Sequence, residues 1–533
     1  MHAVRVWRRI GPCRLMSVAT RQVSPNSRRP VAGGLCARTG TASYLMLCTA
    51  MLMSGCAVGP DFERPEAPPV SGYTVGRLPA STASADGVAQ RFHQGRDIPG
   101  EWWSVFRSKA LQTLIEEGLA NNPDLEAAQA ALRIARENTA AQRGFYFPSI
   151  DASFDATRQK LPADITGTVP NPRIFNVFTG QVSVSYTPDV FGANFRNVES
   201  LEATAENQRY QLEATHVTLA TNIVLAAVQE ASLRGQIAAT ERIIKIVRDV
   251  LDLMRQQRSL GQIAEADVVA QEAALAQVEQ TLPPLQRQLE QQRHLITALI
   301  GRLPSQEPTR SKFTLESLHL PRNLPVTLPS TLVSQRPDIR AAEANVHSTS
   351  ALIGVAIANR LPNITLSATD GSQAFDITKL FSPGTGFWSL TGNVLQPVFR
   401  GGTLYHRELA ARATFDQAAA QYRSTVITAF QNVADVLSAL RTDAVAVDKT
   451  IAAERAALRS LDIARQRLQL GDINYLLLLN AQQTYQLALL NVVQARANRL
   501  ADTAALYQAL GGGWWNKPNA DPERPVTIAD FFQ

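Results

Sequence analysis

The residue types that most often carry chemistry are few in this chain, and their placement excludes more than it offers. Among 533 residues there are four cysteines, Cys13, Cys36, Cys48 and Cys56, so nothing beyond position 56 can form a disulfide framework or a thiolate metal site. His93, His216, His294, His319, His347 and His406 follow the last cysteine, and none pairs at metal-ligand spacing. There is no Walker A loop and no GxGxxG after a strand pattern. Gly511-Gly512-Gly513 follows a helical pattern near the chain end and reads as a helix terminator. No catalytic residue, cofactor site or metal ligand is assigned, and the chain is expected not to be an enzyme.

The formal net charge of +6 says little about a partner. Residues 1–55 hold eight arginines and no acid; 52 basic residues less those eight leaves 44 against 46 acidic ones, or about −2. No nucleic-acid partner is expected from such a body. Cys56, by contrast, has a position that implies a reaction. An arginine-rich stretch is followed by the apolar run Tyr44 to Met53, too short for the ~20 residues of a membrane-spanning helix, and then by Ser54-Gly55-Cys56. That is the order of a signal peptide. Met53-Ser54-Gly55-Cys56 resembles the bacterial lipobox, with Met53 in place of the usual leucine, which implies cleavage before Cys56 and acylation of that residue. Ala57 rather than Asp follows it, which permits sorting to the outer membrane. A plain secretory signal with an incidental Cys56 is the alternative.

The elements behind these residues repeat. Asn122-Pro123-Asp124-Leu125 precedes Phe147-Pro148-Ser149-Ile150, and Arg336-Pro337-Asp338-Ile339 precedes Leu361-Pro362-Asn363-Ile364; the two prolines are 25 apart in both copies. Pro188-Asp189-Val190-Phe191-Gly192 corresponds to Pro397-Val398-Phe399-Arg400-Gly401, and Leu260-Gly261-Gln262-Ile263 to Leu470-Gly471-Asp472-Ile473. Four landmarks in one order predict a duplicated unit of about 200 residues. In each unit a helix opens at the Pro-Asp pair, since proline suits the first helical turn and an acid suits the helix dipole. Strands with period-two alternation follow: Ile150, Ala152, Phe154 and Ala156 against Asp151, Ser153, Asp155 and Thr157; Val182, Val184 and Tyr186 against Ser183 and Ser185; Ile364, Leu366 and Ala368 against Thr365, Ser367 and Thr369; Trp388, Leu390 and Val394 against Ser389, Thr391 and Asn393.

Very long helices come next. No proline lies between Pro188 and Pro283, or between Pro397 and Pro518. Phe415, Tyr422, Val426, Phe430, Val433, Leu437, Leu440, Ala444, Val447 and Ile451 recur at three/four spacing, a coiled-coil seam. A helix over about 194–258 would be roughly 95 Å long. Pro283-Pro284 should break the first returning helix, and segments 57–100 and 302–330 should be mostly extended. Strands of about nine residues suit a membrane barrel, yet four cannot close one, because the smallest single-chain barrels have about eight. Open edges are not tolerated in lipid, so several chains must share the barrel, with the polar strand faces lining a wet lumen. A poreless coiled-coil lipoprotein with a small strand cap is the structural alternative.

From Cys56 to about Trp514 the chain resembles the TolC-like outer-membrane efflux proteins, in particular their NodT or OprM-like lipoprotein branch. Gly59-Pro60-Asp61-Phe62-Glu63-Arg64-Pro65, Trp102-Trp103-Ser104-Val105-Phe106, the two Pro-Asp motifs, Asn474-Tyr475-Leu476, Ala481-Gln482-Gln483 and Leu506-Tyr507-Gln508-Ala509-Leu510-Gly511-Gly512-Gly513-Trp514 carry the likeness in order. The resemblance implies a homotrimer, with a 12-stranded β-barrel in the outer membrane on a 12-helix α-barrel in the periplasm. It implies a periplasmic adaptor protein and an inner-membrane pump of the resistance-nodulation-division class as partners. Transport would be passive export of small molecules, with the exit duct of a type I protein secretion system as the rival use. The expected organisation is a signal peptide (1–55), a lipid-anchored extended segment (56–103), a first efflux repeat (104–301), an inter-repeat equatorial segment (302–330), a second repeat (331–514) and a C-terminal tail (515–533). Leu260, Gly261, Leu470 and Gly471 fall at the helix-hairpin tips that would meet the adaptor; simple turns are the alternative. Leu477 and Asn480 fall where relatives form the periplasmic aperture. Asn480 replaces the expected acid, so a neutral amide ring or leucine dewetting would replace an acidic one; ordinary inter-helix packing is the alternative there.

Overall fold

The computed structural model describes residues 57–517 apart from 77, 162–172, 308–311 and 471. The leader, Cys56, Gly471 and the tail beyond 517 lie outside the described residues. In chain order the main elements are β1 (Arg91–Gln94), α1 (Lys109–Asn121), α2 (Pro123–Arg143), β2 (Ser149–Leu161), β3 (Arg173–Tyr186), α3 (Ala193–Ser259), α4 (Glu265–Glu279), α5 (Leu282–Leu299), β4 (Asn323–Val326), α6 (Pro329–Gln335), α7 (Pro337–Ala358), β5 (Asn363–Ala374), β6 (Gly386–Leu395), α8 (Thr403–Gln469) and α9 (Tyr475–Ala509). Helix dominates. Among the described residues no helix is long and apolar enough to cross a membrane.

The expected helix of 194–258 is found at Ala193–Ser259, and α8 has the same 67 residues, so each is about 100 Å long. The chain enters α3 through Pro188-Asp189-Val190-Phe191-Gly192. The Asp189 carboxylate accepts from the N–H groups of Asn194 (3.0 Å) and Phe195 (2.7 Å), satisfying two donors that the first turn leaves open. The break before α5 falls at Gln280-Thr281, and Pro283 and Pro284 open the new helix instead of closing the old one. The reason is the one that places Pro123 and Pro337: a first-turn residue has no intrahelical N–H bond to lose.

The strands run 13, 14, 12 and 10 residues, longer than the nine expected. The apolar alternation that defined them stops earlier, but antiparallel pairing continues past it as far as Leu161 opposite Arg173. The sheet order is β2-β3-β5-β6, all antiparallel. Each strand joins one helix: α2 leads into β2, β3 into α3, α7 into β5, and β6 into α8. These helices pack as α2–α3–α7–α8, in the order of their strands. Toward the far end α4 and α5 take the place of α2, and α9 that of α7, giving (α4, α5)–α3–α9–α8. Among the described residues neither outer edge of the sheet, β2 or β6, has a partner.

The predicted seam is where the core lies. Tyr422, Val426, Val433, Leu437, Leu440, Ala444 and Val447 are buried, with Phe415, Phe430 and Ile451 partly so. Each large apolar side chain removed from water there contributes about 1.5–3 kcal/mol. A second concentration sits where the extended segments meet the helices. β1 and β4 pair in parallel, Phe92, Ile98, Phe313 and Leu324 turn inward, and Trp102, fully buried, stacks on Tyr507 at 5.3 Å. The expected extended character of 57–100 and 302–330 holds apart from these short strands and two single-turn helices. Gly511, Gly512 and Gly513 all take positive φ and end α9, as their sequence suggested.

Candidate functional site

The sheet has two chemically different faces. Ile150, Val184, Ala368 and Leu390 stand directly opposite one another across all four strands, and so, on the other face, do Asp151, Ser183, Thr369 and Ser389. The apolar face is not covered: Trp388 is 71% and Leu390 75% exposed, and Ile150, Phe154, Leu366 and Val394 are exposed with them. Exposed aromatics mark both ends, Phe145, Phe147 and Phe399 where the strands meet the helices, Phe375 and Phe381 on the β5–β6 connection. An apolar band between aromatic girdles is the surface a transmembrane barrel presents to lipid. Among the described residues both edges of the sheet are unpaired, so these four strands do not close a barrel by themselves.

The segment that follows Cys56 is held at the junction of sheet and helices. Val58 N–H donates to Phe191 O (3.2 Å), and the buried Arg196 guanidinium donates to Val58 O (3.2 Å), Asp61 (2.7 Å) and Glu199 (2.8 Å). Phe62 stacks on His347 at 4.3 Å, and Arg64 pairs with Glu343 at 2.9 Å. Gly192 has φ +74°, and a Cβ there would meet Ala57 at 2.6 Å, so the close approach requires glycine. Ala57 is therefore placed beside the start of α3, at the end of the apolar band.

At the opposite end of α3 and α8 the hairpin tips are bare. Leu260 is 71% and Leu470 79% exposed. Gly261 takes φ +70°, and Gln262 N–H returns to Gln257 O at 2.9 Å, the closing bond of a Schellman turn. Asp472 N–H makes the same five-residue return to Arg467 O at 2.9 Å. Open space surrounds the position of a Gly261 Cβ, so the turn, not crowding, dictates glycine. Leu477 and Asn480 lie one turn apart on an exposed face of α9, while Tyr475, Leu478 and Ala481 point into the hairpin core. That exposed face continues through Thr484, Leu487, Asn491, Gln494 and Asn498 without a charge. The structure places Leu477 and Asn480 together near the tip.

Three features escaped the sequence reading. The residue before each Pro-Asp pair locks its half of the chain: Asn122 Nδ2 donates to Leu299 O at the end of α5 (2.9 Å), and Arg336 donates to Ala509 O at the end of α9 (2.9 Å). Asp338 holds that guanidinium with two bonds, 2.9 and 2.6 Å. A cation at a helix C-terminus is favourable, and a charge-assisted bond contributes about 1.5–3 kcal/mol. Second, the buried Tyr475 hydroxyl donates to Gln271 Oε1, and Gln271 Nε2 donates to Val247 O (2.8 Å), tying the two hairpins together; burial pushes the Tyr475 phenol up to about 12. Third, Asp443 and Asp502 face each other across α8 and α9. Burial first, then the neighbouring Asp502, push Asp443 up to about 7, with Arg499 opposing. Arg499 itself holds the 85–90 segment through Ala85 O (3.3 Å), Val88 O (3.0 Å) and Gln90 Oε1 (3.2 Å). The doubled Asn/Arg-Pro-Asp motif was the available signal for the first; the others join residues 24 to 414 apart with no periodic signature.

A lipid-facing sheet segment running strand by strand into about 100 Å of coiled helices defines a wall segment of a transmembrane duct that reaches well beyond its membrane. The sequence matches the outer membrane efflux protein family over residues 114–302 and 328–512, and the chain belongs to that family. It is 30% identical over 484 residues to the probable efflux pump outer membrane protein SepC of Pseudomonas putida, spanning 89% of this chain and 97% of that one. The toluene efflux pump outer membrane protein TtgF of Pseudomonas putida matches with the same identity and coverage. Among solved structures, the outer-membrane channel OprN superposes with a TM-score of 0.78 at 26% identity, covering 86% of this chain and all of that one. VceC of Vibrio cholerae superposes with a TM-score of 0.72 at 25% identity, covering 79% and 100%.

Proposed function

We propose that this chain is the outer-membrane duct of a tripartite efflux system, passive in itself and exporting small molecules across periplasm and outer membrane. The observation that carries the reading is the four-stranded sheet with an exposed apolar face and two unpaired edges, continued in the same strand order by four helices. Free edges must close, and a head-to-tail contact that places β6 of one copy beside β2 of the next, and α8 beside α2, α4 and α5, closes a ring. Three copies give 12 strands and 12 helices, a duplicated unit used six times. The names of the relatives, which include toluene, solvent and antibiotic efflux pumps, favour small-molecule efflux over protein secretion. An adaptor protein then meets the hairpin tips, exposed at Leu260, Gly261 and Leu470 and expected from the sequence to include Gly471, an inner-membrane pump of the resistance-nodulation-division class supplies the energy, and Leu477 and Asn480 rim the aperture.

Lipidation of Cys56 fits the same frame. Ala57 sits at the end of the apolar band, so an acyl chain on the preceding residue reaches the inner leaflet of the outer membrane without strain on the body. Purified protein reconstituted into a planar bilayer tests the duct. Trimeric mass with unitary conductance is expected, together with hypersensitivity of a deletion strain to solvents and antibiotics. A monomer without conductance and a deletion strain of unchanged sensitivity would overturn the reading.

A further inference from the structure

We infer that the inner wall of the duct holds a binding site for uncharged amphipathic molecules in the groove over α3, between α5 and α9. The groove has a volume of about 430 Å³, within the roughly 300–1,000 Å³ of small-molecule sites. Five carboxamides, Asn222, Gln229, Gln292, Gln494 and Asn498, surround apolar wall contributed by Leu295 and its neighbours, and no lining residue carries a charge. Gln292 Nε2 donates to Ala226 O (3.1 Å) and Gln494 Nε2 to Asn498 Oδ1 (2.8 Å). One such bond does not exhaust an amide, which offers two donor hydrogens and an acceptor oxygen.

The groove opens on the side away from the belt of extended segments. On α9, Arg499 faces the 85–90 segment, and Gln494, Asn498 and Ala501 lie about 100–160° around the helix from it. On α3, Ile223 faces α1 at Gly118, while Asn222, Leu225 and Gln229 are turned about 100–160° away. The belt thus wraps one side of the helix layer and the groove faces the other. Placing that other side inside the tube rests on the ring assembly proposed above. The neutral stripe of α9 leads to the groove from Asn480, so a solute following it from the tip meets amides, a threonine and leucines and no fixed charge along the stripe. Such a surface favours a molecule with one apolar face and neutral donors and acceptors. It gives an ion no opposite charge to offset its lost hydration.

The cysteine-free body makes the test direct. Leu295→Cys is introduced into the full-length protein, and its alkylation by N-ethylmaleimide is timed in the purified assembly, with the parent protein giving the Cys56 background. Chloramphenicol is the uncharged probe and 4-nitrobenzoate the anionic one. Only unoccupied sites react, so the rate falls about tenfold at ten times the dissociation constant of chloramphenicol. Leu487→Cys, on the same stripe but outside the groove, is unaffected. Adding Gln494→Ala and Asn498→Ala moves the protection midpoint up about tenfold through the lost hydrogen bonds. A thiol at 295 that never reacts, one that reacts without saturable protection, or equal protection by 4-nitrobenzoate overturns the site. Absence of conductance in the parent protein bears on the duct reading alone.

Discussion

Adjacent residues on β6 separate the two faces of the sheet, and an arginine scanned across them tests which face meets lipid. Leu390 is the fifth of ten residues in β6, in the apolar row with Ile150, Val184 and Ala368; Ser389 is in the polar row. An arginine at the bilayer midplane on the lipid side of a barrel costs about 2–4 kcal/mol per copy, so the proposed ring of three would carry about 6–12 kcal/mol from Leu390→Arg. That compares with the about 5–15 kcal/mol that typically separates a folded domain from its unfolded chain. Leu390→Arg should therefore abolish assembly in the outer membrane, read as loss of the slow-migrating oligomer on unheated gels and of protein in outer-membrane fractions. Ser389→Arg, which places the same group in water, should assemble at wild-type level. Equal assembly of the two variants, or loss of only the Ser389 one, would refute the assignment of faces.

The remaining predictions concern the locks, the aperture and the buried acids. Arg336→Ala removes the charge-assisted link from α7 to the last carbonyl of α9, at a cost of about 1.5–3 kcal/mol, and leaves the half-exposed Asp338 to water; Asn122→Ala removes the bond to Leu299 O and the cap bonds from the Asp124 and Leu125 N–H groups, at a cost of about 1–2 kcal/mol. Each should lower the unfolding midpoint of the solubilised protein, and an unchanged midpoint for Arg336→Ala would discount the guanidinium. Asn480→Asp should raise cation selectivity and introduce block by divalent cations in single-channel records; unchanged block would remove Asn480 from the aperture. Asp443 sits with its folded value near 7, above the ordinary 3.8, so the folded state holds a proton that the unfolded chain has released. Stability from this pair is present at acid pH and is lost as pH rises from about 4 through 7. The wild type should gain thermal stability relative to Asp443→Asn when pH falls from 8 to 6, and parallel pH profiles would contradict the shared proton.

Periodic features of the sequence translated almost directly into structure. The seam from Phe415 to Ile451, the start of α3 and the alternation of all four strands are local patterns, and a face must repeat at 3.6 or 2 residues if it is to be buried or wetted at all. The prolines and glycines located turns for the same local reason. What periodicity could not supply is who stands beside whom. That β3 pairs with β5, joining the two halves through Val184 and Ala368, is a choice among sheet orders that the strands' own patterns permit equally. Arg336 reaching Ala509, Tyr475 reaching Gln271 and Arg499 holding Ala85 and Val88 are long-range bonds in which each residue alone resembles an ordinary surface polar group. Trp102 was a family signature in the sequence; its stacking on Tyr507 gives the signature a packing reason. Leu260, Gly261, Leu470, Leu477 and Asn480 lie near the far ends of the hairpins, and the contacts proposed for them are with other chains.

The unpaired β2 and β6 edges also have a genetic consequence. When each copy must offer one edge to a left-hand neighbour and another to a right-hand one, a subunit damaged at a single edge still docks by its intact side and spoils the ring it enters. If the proposed ring of three forms in a cell expressing equal amounts of sound and damaged chains that mix freely, only about one ring in eight is wholly sound. An edge-defective allele on a plasmid should therefore act dominantly over the chromosomal copy, whereas a null allele should be recessive.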